Sequence, residues 1–403
     1  MSFIILPGRR LNILENAKSI TSSDPEAGYD PENVANGVPS HPFKFDDPDT
    51  DDYLLADLDQ AVNGDMEDWV VTTEPVGWEA TGTVARESVI VNGGTYSCEL
   101  ADSAYIDQIV WVQSGWSMTI TAAMYGGAVV NTSAYLQNLY TGKWLKSDGD
   151  WQAAEIQYAN RGNAAWVPYT IQFDVESYVE CGYQHLVPLR MRFKRQTGGG
   201  VGYVDDVALW PNWDFVSIHG HNIPPSVSLI VQSDDNSGMT SPTNVSTPTV
   251  IHPAFYDDLS SQVTERYARL FFDGTVYQED SLYIGEWILG QYKTLASDYQ
   301  PGPIYKRMMP VTIGAAESKL PRSNWSNRGL SLNFFNTDTE LITMYEMLDR
   351  ARGGADPIVI VPTTNEDTVM FGHFPPELFV NKTFLNHDSY DLEFVEMAFP
   401  FTF

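Results

Sequence analysis

The residues best placed for chemistry stand at the two ends of one stretch. Val62-Asn-Gly-Asp-Met-Glu67 opens it and Gly202-Tyr-Val-Asp-Asp206 closes it. If the last strand returns beside the opening turn, several acidic oxygens meet at one point. Such a point suits a hard cation such as calcium, which takes oxygen ligands. The same carboxylates could equally be hydrogen-bonded or solvated without metal. Stacking is the second chemistry. Aromatic faces hold the apolar face of a pyranose, and polar side chains take its hydroxyls. The candidates are Trp111, Trp116, Tyr125, Tyr135, Tyr140, Trp144, Trp151 and Trp166. Trp111 and Trp116 lie in regular strand-like sequence and are expected in a core. Trp144, Trp151 and Trp166 lie in loop-like, Gly- and Asn-rich sequence and, with Tyr140, are the expected sugar contacts.

Other constellations carry less. His219 and His221, two apart on a strand, share a face, a spacing that allows metal binding. No third ligand accompanies them, and Gly220 and Asn222 fit a strand end. Asp47, Asp49 and Asp51 alternate as in a calcium loop but lack its glycine and its closing glutamate, so a solvated linker is expected. No Gly-x-Ser-x-Gly, His-Glu-x-x-His or phosphate-binding loop occurs. Gly198-Gly-Gly-Val-Gly202 runs into a strand with no Lys-Ser/Thr after it and reads as a hairpin turn. Paired carboxylates can hydrolyse glycosides, but no spacing singles out two among 53 Asp and Glu. A non-enzyme is expected.

The elements that must position these residues are mostly strands. Trp116–Ala122, Tyr169–Val175 and Val227–Gln232 alternate apolar and polar residues. Gly, Asn, Asp and Pro clusters separate many such runs, as in β-sandwiches. One helix is predicted, from Thr337 or Asp338 to Gly353, with Leu341, Met344, Tyr345 and Leu348 at helical spacing. Breaks fall at 46–52, near Trp210–Trp213 and at Gln291–Pro303. The 403 residues carry 53 acidic against 23 basic groups, net −30. That charge opposes nucleic acid and anionic membranes. No apolar run nears the roughly 18 residues of a membrane span, and no signal peptide is evident, so classical export is not expected. Cys98 and Cys181 are expected as free, buried thiols.

Across 53–211 the ordered series from Asn63-Gly64 through Trp78, Tyr96-Ser-Cys-Glu-Leu100, Gly115-Trp116, Leu189-Arg-Met-Arg-Phe193 and Gly202–Leu209 resembles jelly-roll carbohydrate-binding modules. That resemblance implies a structural calcium at Glu67 and Asp205, with Asn63 and Asp65 nearby. Residues 1–46 and 212–295, with His221-Asn222, Val231-Gln-Ser-Asp-Asp235 and Ala268-Arg-Leu270, resemble the discoidin-like sandwich of phage tail proteins, interrupted by the insert. Residues 300–403 resemble small α+β, barrel-like tail-assembly domains. The expected fold is mainly β: two β-sandwiches, one a jelly roll inserted into the other, plus that C-terminal domain. The whole resembles a bacteriophage tail-tip or baseplate protein. The resemblance implies a homo-oligomer, trimer or hexamer, in the virion tail, assembled in the host cytoplasm with other tail proteins and displaying the jelly roll to a host-surface glycan. A glycan hydrolase with an accessory module and a purely structural virion protein are the alternatives. Arg190, Arg192, Lys194 and Arg195 are the only dense basic run in the insert, and a neutral glycan is the expected ligand. Phe399–Phe403, apolar to the last residue, is expected either to anchor an oligomer or to fold against its own domain.

Overall fold

The computed structural model describes residues 2–7, 12–36, 42–46, 51–126, 131–162, 164–223, 227–248, 254–273, 282–296, 304–308, 327–336, 346, 358–361, 370–373, 380–384 and 387–396. The chain is mainly β, built from antiparallel sheets, and no sheet among these residues closes into a barrel. It divides into two compact units, Leu58–Asn212 and Met1–Asp57 with Trp213–Phe403. No helix among the described residues is long and apolar enough to cross a membrane.

The Leu58–Asn212 unit has two main sheets. The first runs Trp151–Gln152, Trp144–Leu145, Thr132–Asn138, Leu186–Arg195, Tyr105–Gln113 and Glu79–Thr81, with Ala159–Arg161 also on Thr132–Asn138. The second runs Val167–Asp174, Ser117–Tyr125, Gly202–Pro211, Ser97–Leu100 and Val84–Glu87. Alternation decides the faces. In Leu186–Arg195, Val187, Leu189, Met191 and Phe193 are buried, while Pro188, Arg190, Arg192 and Lys194 keep contact with water. Met118, Ile120, Met124, Phe173 and Leu209 supply the core from the second sheet. Gly64 allows a close approach that any side chain would block: a Cβ there would lie 1.7 Å from the Val207 carbonyl oxygen. The glycine run at 198–202 is not a hairpin turn, because the strands it joins belong to different sheets. Cys98 and Cys181 are free and buried.

The insert begins at Leu58 rather than at residue 53. Asp52–Asp57 is a strand of the surrounding unit, paired with Ser19–Ser22 and Tyr267–Asp273. Both ends of the insert are stitched together. Asp59 Oδ1 accepts from the Ala61 and Leu209 N–H groups at 2.9 Å each, and Gln60 N donates to Leu209 O at 2.7 Å.

In the other unit, one sheet runs Ala254–Val263, Trp213–His221, Tyr283–Gly290 and Phe43–Lys44. A second runs Ser19–Ser22, Asp52–Asp57, Tyr267–Asp273, Ser228–Asp234 and Thr243–Ser246. Strands from before and after the insert therefore pair directly. Tyr283–Gly290 is buried on nearly every residue, as a strand covered on both faces must be. The 3-10 turns Ile13–Asn16 and Pro31–Ala35 pack on it. His219 and His221 are core residues: His219 lies opposite Glu286 and its Nε2 meets Ser217 Oγ at 3.1 Å.

A third sheet runs Lys293–Ala296, Ser2–Pro7, Ile358–Val361, Met370–His373, His387–Glu396, Asn327–Asn336 and Ile304–Met308, with Val380–Phe384 on His387–Glu396. The N-terminal strand thus joins those that follow residue 300. Of the predicted helix, Glu346 is helical and the rest lies outside the described residues, as do Phe399–Phe403 and residues 47–50.

Asn12 ties this unit together. Its amide donates to Trp287 O at 2.8 Å, and its Oδ1 accepts from Leu14 N at 3.2 Å and Leu289 N at 3.1 Å. Asn12→Ala leaves these buried groups without that partner, at about 1–3 kcal/mol for each one left unsatisfied. A loss of about 2–4 kcal/mol is expected in urea unfolding followed by tryptophan fluorescence. A change below about 0.5 kcal/mol would show that the bridge is dispensable.

Candidate functional site

Residues directly opposite across a sheet share a face, so the register of the first sheet writes out one face, exposed at Ile109 and Trp111 and buried at Ser133, Tyr135 and Trp144. One row reads Gln152, Trp144, Gln137, Arg190, Ile109. The next reads Tyr135, Arg192, Asp107, Glu79. Beyond these lie Ser133, Lys194, Tyr105 on one side and Pro188, Trp111 on the other.

Trp111 is 61% exposed and Ile109 50%. Trp111 is therefore not a core residue, whereas Trp116 is. Parity explains the difference: Ile106, Val110 and Val112 face inward, so Asp107, Ile109 and Trp111 must face outward. From Trp111 to Tyr105 the strand extends about 20 Å.

Polar groups crowd the middle of this face. Asp107 accepts from Arg192 Nε at 2.7 Å and Nη2 at 2.6 Å. The Arg192 guanidinium lies 4.3 Å over the Tyr105 ring. The hydrogen bonds to Asp107 raise the Arg192 pKa. Arg190 is held more loosely, its Nη1 3.5 Å from Gln137 Oε1 and its Nε 3.9 Å from Asp107 Oδ2. Gln196 donates to the Tyr135 hydroxyl at 2.6 Å and to Ser133 Oγ at 3.2 Å. The result is a flat apolar platform, Trp111 and Ile109, beside fixed donors and acceptors. Asp107 has both oxygens held by Arg192. Burial raises both thiols, Cys98 and Cys181, which removes them as nucleophiles.

The aromatic residues expected to contact sugar do not gather at one place. Trp144 lies on this face but is 8% exposed, packed edge-on against Tyr135 at 6.0 Å. Trp151 is half-buried, edge-on to Phe173 at 5.9 Å, with its Nε1 donating to Asp174 O at 2.7 Å. Trp166 packs on Tyr125 at 5.7 Å and Tyr203 at 6.5 Å, residues of the second sheet. Burial, with Glu99 adding to it, pushes the Tyr203 hydroxyl up to about 12. Tyr140 is exposed in a turn whose Asn138 Oδ1 accepts from Tyr140 N at 2.9 Å.

The expected cation ligands converge in part. Glu67 Oε1 accepts from Thr95 N at 2.5 Å and Tyr96 N at 2.9 Å. Asp205 Oδ2 accepts from Asn92 N at 3.0 Å and Gly93 N at 3.4 Å, and Asp206 Oδ2 from the Asn92 amide at 2.5 Å. Three carboxylates thus grip one loop, 92–96. Gly94, at φ +59°, is required there, since a Cβ would lie 2.1 Å from Glu67 Oε1. Asn63 stays apart: its amide donates to Asp68 O at 2.7 Å and Val76 O at 3.2 Å and accepts from Asp68 N at 2.8 Å. Asp65 is exposed. Among the described residues no group of three or more His, Cys, Asp or Glu is placed to hold a metal ion. A hard cation would find carboxylate oxygens here, but not the four-residue set. Asp205 is fully buried, and that burial pushes its carboxyl up to about 7.

No family model and no curated protein matches the chain. Among solved structures, the tailspike protein 4 enzymatically active domain of bacteriophage CBA120 is 15% identical over 38% of this chain, with a TM-score of 0.29. The present chain spans 21% of that one. TmCBM61, solved with beta-1,4-galactotriose, is 17% identical over 38% of this chain and 98% of its own, with a TM-score of 0.27. The CBM22-2 xylan-binding domain from Paenibacillus barcinonensis Xyn10C is 14% identical over 34% of this chain and 94% of its own, with a TM-score of 0.26. Each likeness extends over less than two fifths of the present chain and assigns no activity to it.

Proposed function

We propose that the Leu58–Asn212 unit binds glycan on the outward face of its first sheet. The observation that carries this reading is Trp111, a large aromatic left 61% exposed on a regular strand beside Ile109, Arg190 and Gln137. A ring in that position offers an apolar plane to a pyranose, and the neighbouring side chains offer donors and acceptors for its hydroxyls. The chain is a binding and structural protein, not an enzyme. Its place is a phage tail tip, in the virion, as a homo-oligomer among other tail proteins; the sequence resemblance supports this part. Copies arrayed there would multiply weak sugar contacts by avidity. Calcium is held by Glu67 and Asp205 at the 92–96 loop, where a cation would relieve the cost of the buried carboxylate.

Trp111→Ala in the full chain is expected to weaken binding to glycan ligands, found on an array and measured by isothermal titration, by about thirtyfold. Its melting temperature should stay near that of the parent, because the side chain lies outside the core. Unchanged affinity would move the site elsewhere. Soluble oligosaccharide released from host polysaccharide by the purified protein would make it a hydrolase.

Asp205 sets a pH test. Its ordinary pKa is 3.8, and in the folded chain it holds its proton to about 7. Between those values the folded state binds more protons than the unfolded one, so stability falls as pH rises. In chelator, melting temperature is expected to drop from pH 5 to pH 8 more steeply for the parent than for Asp205→Asn. Millimolar calcium should flatten the parent curve. Identical melting with calcium and with chelator at pH 8 removes the cation from the site.

A further inference from the structure

We infer that the Trp111 face selects glycans bearing carboxylate groups, of the uronate class. The inference rests on the glycan reading above and names its ligand chemistry. The Leu58–Asn212 unit has 18 Asp and Glu against eight Lys and Arg, and four of those eight fall within 190–195. Arg195 turns inward, fully buried, and donates to Asn131 O at 3.3 Å and Gly199 O at 2.8 Å. Arg190, Arg192 and Lys194 alternate with core residues and face out. In a unit this acidic, every outward cation has many carboxylates to choose from.

Only one of the three is closely paired among the described residues. Arg192 holds Asp107 with two short hydrogen bonds. Arg190 reaches the same carboxylate only at 3.9 Å, and Lys194 makes no ion pair among the described residues. Two other acids lie near this face: Glu79, beyond Asp107 in its row, and Glu155, whose charge acts on Arg192. Neither forms an ion pair with Arg190 or Lys194 among the described residues.

Arg190 sits directly opposite exposed Ile109, and Trp111 is its diagonal neighbour, about 7–8 Å away. A sugar stacked on Trp111 would therefore bring a ring carboxylate within reach of the Arg190 fork. Guanidinium and carboxylate match in shape and pair through charge-assisted bonds. The face is thus suited to a polyanion that the net charge of the chain otherwise repels. It is the opposite choice to the neutral glycan that overall charge alone suggests.

The test compares polygalacturonate, the same polymer with its carboxyls chemically reduced, and a poly(glycerol phosphate), each titrated into the full chain. Polygalacturonate is expected to bind about tenfold tighter than its reduced form at low salt. Added salt should shrink that gap. Arg190→Gln should abolish the preference by weakening polygalacturonate far more than the reduced polymer, whereas Trp111→Ala should weaken both alike. Equal or tighter binding of the reduced polymer overturns the carboxylate inference and leaves glycan binding standing. Preference for the phosphate polymer assigns the cations to phosphodiesters and overturns it too. No binding to any of the three overturns the carboxylate inference, and the glycan reading then stands or falls on the array.

Discussion

Arg192 and Asp107 stand directly opposite on neighbouring strands and join through two hydrogen bonds. Both are partly exposed, so the pair itself contributes about 0–1 kcal/mol. Burial of Leu189, Met191 and Phe193 on the same strand contributes about 1.5–3 kcal/mol each. Apolar burial therefore decides that the sheet forms. Which side faces water follows from the alternation, and the ion pair agrees with it. A slip of one residue would send Arg190, Arg192 and Lys194 inward and the three apolar residues out. That combination loses the core and buries unpaired charge, so one register survives. The candidate site is the other side of the same constraint.

Much of this is legible in the sequence. Leu189-Arg-Met-Arg-Phe193 alternates plainly, and its two faces are those the sequence pattern predicts. Trp111 was harder. It shares parity with Asp107, which marks an outward face, but Ile109 and Trp111 make that face look apolar and core-like. The deciding information is the identity of the residues opposite, Arg190 and Pro188, and that needs register between strands nearly 80 residues apart. Trp144 misled in the other direction. Its surroundings read as loop, yet it forms a short strand against Gln137 and packs on Tyr135. Local composition reports turns well and says little about what a turn folds over.

The acidic segments show the same limit. Asp46-Asp-Pro-Asp-Thr-Asp-Asp52 reads as a solvated hinge, but Asp52 is buried and accepts from Ser23 Oγ at 2.6 Å. The strand it begins moves the start of the insert to Leu58. Asn63 looked like a cation ligand because it stands beside Asp65 and Glu67. Its amide instead satisfies the backbone of its own turn, the ordinary use of asparagine at positive φ. Glu67 and Asp205 reach the 92–96 loop because the last strand returns beside the first turn, a closure that the ordered motif series did predict.

That closure also explains how a unit of 155 residues, Leu58 to Asn212, can interrupt another fold. Loop-closure entropy grows slowly, by about 0.6 kcal/mol for each doubling of length. What matters is whether the ends of the insert meet. Here Asp59 and Gln60 bond to Leu209, three residues from the exit. The surrounding chain is then asked to close only a short gap, whatever lies beyond it. The stitching uses Gly202–Pro211, a strand of the second sheet, whereas Trp111 and Arg190 belong to the first. Residues that join the insert to its host and residues that form the outward face are therefore separate sets. The face can change its side chains without disturbing the bonds that hold the insertion closed.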